Sequence, residues 1–200
     1  MRRLGTTAIV DMGTTSGAGF IFEEAERSGL RYFGGNCFMD MKATSGPLYR
    51  PLEESLAECE DLIARWHKKT PLLEYCISPR FAISCTEKMM RAGVELQKKF
   101  GLLLHTHASE NKHEVALIKK RTGLNNVDYL AKLGLLNDKA VIAHGVHLSI
   151  GEVKKMVRTR AGLAHCPSSN LKLASGIAPI PTYLKAGMKV LDIGGASTPF

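Results

Sequence analysis

The chain has 200 residues, of which 44% are hydrophobic and 23% are charged, with a formal net charge of +8. These values are ordinary for one globular domain with a packed core, and no apolar run approaches the ~20 residues that span a membrane. The five scattered cysteines contain no Cys-x-x-Cys pair, which favours reduced thiols in a cytoplasmic protein over a disulfide framework.

The positive charge has a local explanation at predicted helix ends. Basic residues are grouped at positions 68–69, 98–99 and 119–121, and each group closes a helical pattern near a Gly or Pro. Cations in the last helical turn interact favourably with the helix dipole. We therefore favour this structural interpretation over nucleic-acid binding, which would require a basic face with aromatic or motif support.

Short apolar runs alternate with amphipathic stretches along the whole chain, which predicts strands and helices in turn. Thr86 and the Ser149-x-x-Glu152 capping box mark two helix starts, and glycines follow the ends of four helices. The predicted strands are residues 7–12, 30–39, 73–83, 101–108, 140–144, 162–166 and 189–193. The predicted helices are residues 18–28, 52–68, 86–100, 112–122 with 127–133, 149–159 and 181–186.

Repeated strand–helix units predict an α/β fold in which parallel strands are joined by helical crossovers. Seven strands fit either a doubly wound sheet or a (β/α)8 barrel that lacks one unit. The pattern begins with a turn into a strand and stops after the last strand without a closing helix. We therefore expect a truncated domain.

Chemically reactive side chains fall at the carboxyl ends of the predicted strands. Ligands bind at that edge in parallel α/β folds and barrels, so six such residues on one edge favour a functional site. They are Asp40, Arg80, His107, His144, His165 and Asp192.

The segment from His105 to Glu110 concentrates this chemistry. Strand alternation places His105 and His107 on the same face, with His107 nearer the edge. An imidazole can bind a divalent metal ion while a neighbouring carboxylate transfers protons. We interpret His107 and Glu110 as functional and His105 as a core histidine.

Two other histidines differ in how they are interpreted. For His144 the residues leave three roles open, namely a metal ligand, a group that polarises the substrate and a hydrogen-bonded interior residue. We interpret His165 as structural, because it and Cys166 point to opposite faces of a strand and cannot readily bind one ion. Residues 168–170 are predicted to form a polar loop that caps a helix or lines a pocket.

Five segments, in one order along the chain, together resemble the amidohydrolase superfamily. They are most similar to its adenosine-type, guanine and 5′-deoxyadenosine deaminase-like members, and the similarity extends to about Val190. The segments are residues 5–13, 79–85, 105–111, 143–145 and 165–176.

The resemblance implies an incomplete (β/α)8 TIM barrel of the metal-dependent hydrolase type, in which residues 1–200 form one partial domain with strands 2 to 8. One divalent metal ion, zinc or iron with zinc favoured, is implied at the strand ends. His107 would be the fifth-strand metal ligand and contact the substrate. Glu110 would bind the substrate and shuttle protons, His144 would lie beside metal-bound water or substrate, and Arg80 would contact the substrate.

The implied reaction is the hydrolytic deamination of an aminopurine or its nucleoside, such as 5′-deoxyadenosine. A metal ion lowers the pKa of bound water towards ~7, which gives hydroxide at neutral pH. Hydroxide attacks the ring carbon that carries the amino group, while Glu110 protonates the ring nitrogen and then the departing ammonia. His144 would stabilise the developing charge.

Two ligand positions of the family are not matched. The first-strand His-x-His has no counterpart, and the eighth-strand Gly-x-Asp-Gly-Ala pattern places Gly194 where the aspartate belongs. Asp192 lies two residues earlier, which is roughly 6–7 Å along a strand, whereas ligand distances are ~2 Å. It could serve only after a register shift. We expect residues 1–200 alone to be a poor or inactive deaminase without the first strand and the C-terminal part.

Two alternatives keep the same fold. One is a chlorohydrolase that acts on triazines, and the other is a non-catalytic pseudoenzyme or a fragment completed by a partner. We expect a small purine or nucleoside as ligand, no nucleic acid and no membrane. Open strand edges would also allow pairing with another chain, including a homo-oligomer.

Overall fold

The computed structural model describes residues 5–192, which form two compact units. The first unit contains residues 5–80 and 84–105, and the second contains residues 81–83 and 106–192. No helix in this described part is long and apolar enough to cross a membrane.

The first unit is a parallel sheet with helices between its strands. Strand β2 pairs with β1 and β4, β4 pairs with β3, and β4 also pairs with the first residues of β5. Its strands are β1 Ala8–Val10, β2 Arg31–Gly34, β3 Cys37–Phe38, β4 Leu73–Pro79 and the start of β5 Leu103–Ala108. Its helices are α1 Ala18–Ser28, α2 Lys42–Ser45, α3 Leu52–Trp66 and α4 Glu87–Phe100, with a 3-10 turn at Gly46–Leu48.

The second unit repeats the same plan. The end of β5 is followed by β6, β7 and β8, and the pairs β6–β7 and β7–β8 are parallel. The new strands are β6 Ala140–His144, β7 Gly162–His165 and β8 Lys189–Asp192. The helices are α5 Lys112–Thr122, α6 Asn126–Lys132, α7 Ile150–Thr159, α8 Pro167–Lys172 and α9 Ile180–Lys185. The predicted α/β class with parallel strands is confirmed.

An aromatic cluster forms the core of the first unit. Phe22 on α1 is fully buried, and its ring lies 5.0 Å from Tyr32, 5.6 Å from Trp66 and 6.1 Å from Tyr75 between centroids. The cluster joins α1 and α3 to strands β2 and β4. Truncating a buried Phe to Ala typically costs about 3–5 kcal/mol, so this one ring is a large share of a small unit's stability.

Strand β6 lies in the core of the second unit. All five of its residues are buried, because a central parallel strand has covering elements on both faces. Val141 and Ala143 on β6 pack with Ala164 on β7 and with Cys166 just after it. These small side chains allow close packing beside the strand ends where His144 lies.

Several helix ends agree with the sequence. The Thr86 hydroxyl accepts a hydrogen bond from the Met89 amide (3.1 Å), and Ser149 and Glu152 form the predicted capping box. The basic groups at 98–99 and 119–121 lie in the last turns of α4 and α5. The predicted helix 52–68 is shorter in the structure, because α3 ends at Trp66, and Lys68 and Lys69 therefore follow the helix.

The predicted strand 30–39 is broken into β2 and β3 by close packing. A Cβ at Gly35 would lie 2.5 Å from the Cys76 carbonyl oxygen, so the chain approaches β4 more closely than a regular strand allows. The next residue, Asn36, is fully buried, and its side-chain amide donates to the Ser55 carbonyl at 2.9 Å. This tertiary bond has no signature in the strand pattern.

The predicted strand 73–83 is also shorter, and the predicted loop at 168–170 is helical. Strand β4 ends at Pro79, which lacks the amide hydrogen that a longer ladder needs. Pro167 begins α8, a position where its fixed φ suits the first helical turn. The loop prediction for residues 168–170 was therefore wrong.

All five cysteines are buried free thiols. Burial raises the pKa of Cys37, Cys59 and Cys76 to about 12. The thiolate is the reactive form, and a pKa of about 12 leaves roughly 10⁻⁴ of a thiol ionised at pH 8.

We expect the native protein to resist alkylation by iodoacetamide at pH 8, because the thiols are both inaccessible and protonated. In urea all five should react, as counted by mass spectrometry. Rapid native alkylation of Cys37, Cys59 or Cys76 would contradict the packing of the first unit.

Candidate active site

Two rings stack on the His107 imidazole near the end of β5. The His107 ring stacks on Phe81 with 4.6 Å between centroids and on His144 with 5.2 Å between centroids. The interplanar angles are 18° and 23°, and a parallel bridge also joins the backbones of Phe81 and His107. His107 is half-buried, whereas His144 is 4% exposed. The stack fixes the planes of both imidazoles.

A buried carboxylate faces a buried imidazole in the same place. The Glu110 Oε2 atom lies 3.8 Å from His144 Nε2, and Glu110 is 7% exposed. This distance is too long for a direct hydrogen bond and short enough for both atoms to contact one small polar group. The pair can therefore pass protons to a group held between them.

The backbone at His144 is strained. His144 has φ +74° and Gly145 has φ +56°, so β6 ends in two consecutive left-handed residues. A non-glycine residue in this region costs roughly 1–2 kcal/mol and persists where the surroundings hold it. The positive φ of Gly145 favours glycine, and a Cβ there would also lie 2.5 Å from Leu163 Cδ1, so that the leucine side chain would have to move.

Two hydrogen bonds hold this turn. The Gly145 amide donates to the Ala108 carbonyl at 3.1 Å, and the Tyr183 hydroxyl donates to the Gly145 carbonyl at 2.8 Å. The turn at the end of β6 is thereby joined to the end of β5 and to helix α9. These contacts fix the backbone that carries the His144 imidazole.

Glu114 supports the segment that carries Glu110. Its carboxylate accepts hydrogen bonds from the Ser109 amide (3.2 Å), the Glu110 amide (2.9 Å) and the Asn126 side-chain amide. Ser109 has φ +55°, so this carboxylate holds a strained backbone. Burial raises the pKa of the Glu114 carboxyl, and the hydrogen bond from the Glu110 amide opposes that rise.

Sequence reasoning missed Glu114. A usable signal was present, because Asn111-x-x-Glu114 has the spacing of a helix N-cap with an acidic third residue. The Asn111 side chain does accept a hydrogen bond from the Glu114 amide at 2.9 Å. That Glu114 turns back to the preceding loop could not be read from the spacing.

The structure brings three of the predicted site residues together: His107, Glu110 and His144 lie in the second unit. Arg80 lies in the first unit and is half-buried. Its amide donates to the Phe38 carbonyl at 3.2 Å, and its guanidinium contacts the Met39 sulfur at 3.6 Å.

The other strand-end residues have more local surroundings. Asp40 accepts hydrogen bonds from the Thr86 amide (2.6 Å) and hydroxyl (2.5 Å), so it anchors the start of α4. His105 is buried, as expected of a core histidine. His165 is half-buried and pairs with Asp192 across β7 and β8, but the Asp192 side chain lies outside the described part.

A metal ion does not fit the described residues by themselves. Across residues 5–191, no group of three or more His, Cys, Asp or Glu side chains is placed to hold one ion. Catalytic zinc normally has three protein ligands. His107 is therefore at most one member of a ligand set.

A buried carboxylate and a buried imidazole lie close together near the carboxyl ends of parallel strands, an arrangement that is chemically capable of acid–base catalysis. The sequence profile of the amidohydrolase family matches residues 1–193, and the chain belongs to this family. The predicted resemblance is confirmed.

Individual relatives agree with this assignment. The structure of E. coli guanine deaminase has a TM-score of 0.89 at 33% identity, covering 94% of this chain and 44% of that one. Guanine deaminase from C. acetobutylicum, solved with bound guanine in the active site, has a TM-score of 0.90 at 29% identity, covering 94% and 46%. The 5′-deoxyadenosine deaminase of Methanothrix thermoacetophila is 32% identical over 155 residues, covering 77% and 37%. The chain thus spans less than half the length of these relatives.

These likenesses confirm the predicted class of fold, a parallel arrangement belonging to an incomplete (β/α)8 barrel. A triazine hydrolase from Arthrobacter aurescens is also similar, with a TM-score of 0.84 at 23% identity. At that identity the likeness shows the fold alone.

Replacing Glu114 with Ala tests the support of the Glu110 loop. The variant leaves the buried Ser109 and Glu110 amides without their acceptor, and each unsatisfied group costs about 1–3 kcal/mol. We expect a loss of about 2 kcal/mol or more in the free energy of unfolding, measured by urea denaturation at pH 7. Glu95→Ala on α4, whose side chain is 74% exposed, is the control and should cost under about 1 kcal/mol.

The stability difference between the wild type and Glu114→Ala should depend on pH in a definite direction. Because the folded-state pKa of Glu114 is raised, the folded protein binds that proton more tightly than the unfolded chain. The stabilisation that this proton provides is fully present below the pKa of Glu114 in the unfolded chain. It is lost as the pH rises through the pKa of Glu114 in the folded protein. The advantage of the wild type over Glu114→Ala should therefore grow on acidification, and a pH-independent difference would contradict the burial of this carboxyl.

Proposed function

We propose that these residues, within a complete barrel, catalyse the hydrolytic deamination of an aminopurine or its nucleoside, such as 5′-deoxyadenosine. The observation that carries the proposal is the buried Glu110–His144 pair, 3.8 Å apart, at the strand ends of a chain from the amidohydrolase family. Relatives named as guanine and 5′-deoxyadenosine deaminases support the substrate class.

Glu110 is the proposed proton carrier. Water adds to the ring carbon that bears the amino group, Glu110 accepts a proton from that water, and the ring nitrogen receives it. Glu110 then returns a second proton from the added oxygen to the amino group, which leaves as ammonia while a ring carbonyl forms. Its burial favours this role, because proton transfer is efficient when the group is positioned and shielded from bulk water.

His144 is proposed to contact the oxygen of the attacking water. Its Nε2 faces the Glu110 carboxylate, and its ring plane is fixed by stacking on His107. A positioned dipole in a buried site stabilises developing charge more strongly than water does, because it needs no reorganisation. The strained turn at His144 is then part of the pre-organisation of the site.

Arg80 and His107 are the proposed substrate contacts, together with Glu110. An Arg guanidinium offers directional donors that match the acceptors at a purine edge. For Arg80 the support is the family resemblance and its half-buried position after Pro79.

We also propose a divalent metal ion, zinc in preference to iron, with His107 as one ligand. The described residues do not complete a ligand set, so none of the steps above is assigned to the metal. It follows that residues 1–200 alone should be a poor or inactive deaminase. Ammonia release by the isolated 200-residue chain at the rate of a full-length relative would contradict this part of the proposal.

The cellular setting is part of the same proposal. Five buried free thiols are typical of a reducing compartment, which favours the cytoplasm. We further propose that residues 1–200 belong to one barrel domain and that self-association is compatible with its strand edges.

A chimera tests whether these residues carry the deaminase machinery. Residues 1–188 would replace the corresponding part of the E. coli guanine deaminase, which is 33% identical over 204 residues, so that the eighth strand of the chimera stays that of the relative. We expect ammonia release from 5′-deoxyadenosine, adenosine or guanine, followed by a coupled assay. Glu110→Gln should lower kcat by about 10²–10⁴-fold, because general acid–base catalysis contributes that much.

Glu95→Gln is the matched control, since it makes the same chemical change on an exposed helix position. Its kcat should stay within a factor of two or so of the chimera. A folded chimera, with a cooperative thermal transition, that turns over none of these aminopurines would overturn the proposed function. Undiminished activity in Glu110→Gln would overturn the role of Glu110 alone.

A further inference from the structure

We infer that Asn170 is a positioning residue that holds the His144 imidazole in the tautomer with its proton on Nδ1. The inference deepens the proposed function and rests on it, because it assigns His144 Nε2 the role of an acceptor towards the reacting water. Asn170 lies on α8, in the segment where the sequence indicated a polar loop.

The contact is short and buried. Asn170 Oδ1 lies 2.7 Å from His144 Nδ1, Asn170 is fully buried and His144 is 4% exposed. The Asn170 backbone is also fixed on both sides. Its amide donates to the Cys166 carbonyl at 3.0 Å, and its carbonyl accepts from the Ser175 amide at 2.8 Å. The side chain therefore meets the imidazole from a rigid base.

An amide oxygen can only accept a hydrogen bond, so it requires a proton on the nitrogen that faces it. In a neutral imidazole with Nδ1 protonated, Nε2 is left as an acceptor. His144 Nε2 and the Glu110 carboxylate then present two acceptors 3.8 Å apart. A group with at least two polar hydrogens can donate to both acceptors, and both the attacking water and the departing ammonia are such groups.

An asparagine at position 170 leaves a buried donor unsatisfied in the described part of the chain, which close packing alone would not require. The Asn170 Nδ2 atom is buried and has no hydrogen-bond partner among the described residues. An apolar side chain of similar size would fill the same space without leaving a donor unsatisfied. Retaining an amide there is understandable if its oxygen orients His144, whose strained backbone at φ +74° is held in the same place.

The tautomer is directly measurable by NMR of the imidazole nitrogens in ¹⁵N-labelled protein at pH 8. We expect the wild type to show a protonated Nδ1 and an unprotonated Nε2 at His144. Asn170→Leu removes the acceptor at similar size, and the Nδ1–H signal should be lost in favour of Nε2–H. Asn170→Asp keeps an acceptor oxygen and should keep Nδ1–H. Ser169→Ala, on the same helix, is the control and should leave the spectrum unchanged.

Either of two results would overturn the inference: a wild type with the proton on Nε2, or an unchanged tautomer in Asn170→Leu. A purely structural role would predict the second. If Asn170→Leu does not fold, the wild type and Asn170→Asp still decide, because loss of Nδ1–H in the aspartate variant contradicts an acceptor role.

Activity in the chimera separates this inference from the proposed function. Asn170→Leu should lower kcat by about 10–100-fold, as loss of a supporting hydrogen bond to a functional histidine does, with KM much less affected. Asn170→Asp should recover part of that loss. The predicted tautomer without any deamination would sink the proposed function alone, and deamination with the opposite tautomer would sink the role of Asn170 alone.

Discussion

The left-handed turn at His144 and Gly145 is the constraint on which the candidate site depends. The two positive φ angles turn the chain at the end of β6, where His144 Nε2 lies 3.8 Å from Glu110 Oε2. The turn persists because the Ala108 carbonyl, the Tyr183 hydroxyl and the absence of a Cβ at Gly145 all support it. Strain at a functional position is stable only when its surroundings determine it in this way.

Two buried glutamates, each in the first turn of its helix, accept hydrogen bonds from backbone amides nearby. Glu114 on α5 accepts from the Ser109 and Glu110 amides, and Glu152 on α7 accepts from the Ser149 amide (2.9 Å) and from Val127 (2.8 Å). Each is 2% exposed. In both strand–helix repeats, a glutamate in the first helical turn accepts hydrogen bonds from backbone amides that would otherwise be buried without partners. This leaves the loops after the strands rigid enough to carry chemistry.

Much of the fold follows from local sequence. Apolar runs of strand length alternate with helical periodicity, and parallel pairing is the usual result of such β/α units. What the pattern did not predict depends on contacts far apart in the chain. The break between β2 and β3 arises because Gly35 lies against Cys76, and Asn36 then bonds to the Ser55 carbonyl. No window of neighbouring residues contains that information.

The candidate site also combines residues that the sequence predicted with residues whose roles depend on distant contacts. His107 and His144 were predicted at strand ends and Glu110 just after one, and the structure brings the three together, while their chemical roles stay predictions. Glu114 and Asn170 were not identified as supports, because their partners are set by tertiary hydrogen bonds and not by spacing. The Asp192 side chain lies outside the described part, and its role as a ligand stays a prediction.

A crystal structure of the Glu110→Gln chimera with a bound aminopurine tests the central claim most directly. The account predicts the purine ring in the second unit with a ring nitrogen within about 2.6–3.2 Å of the residue-110 side chain, and His144 Nε2 beside the carbon that bears the amino group. A purine bound elsewhere, or a ring whose amino-bearing carbon contacts neither residue, would contradict the account.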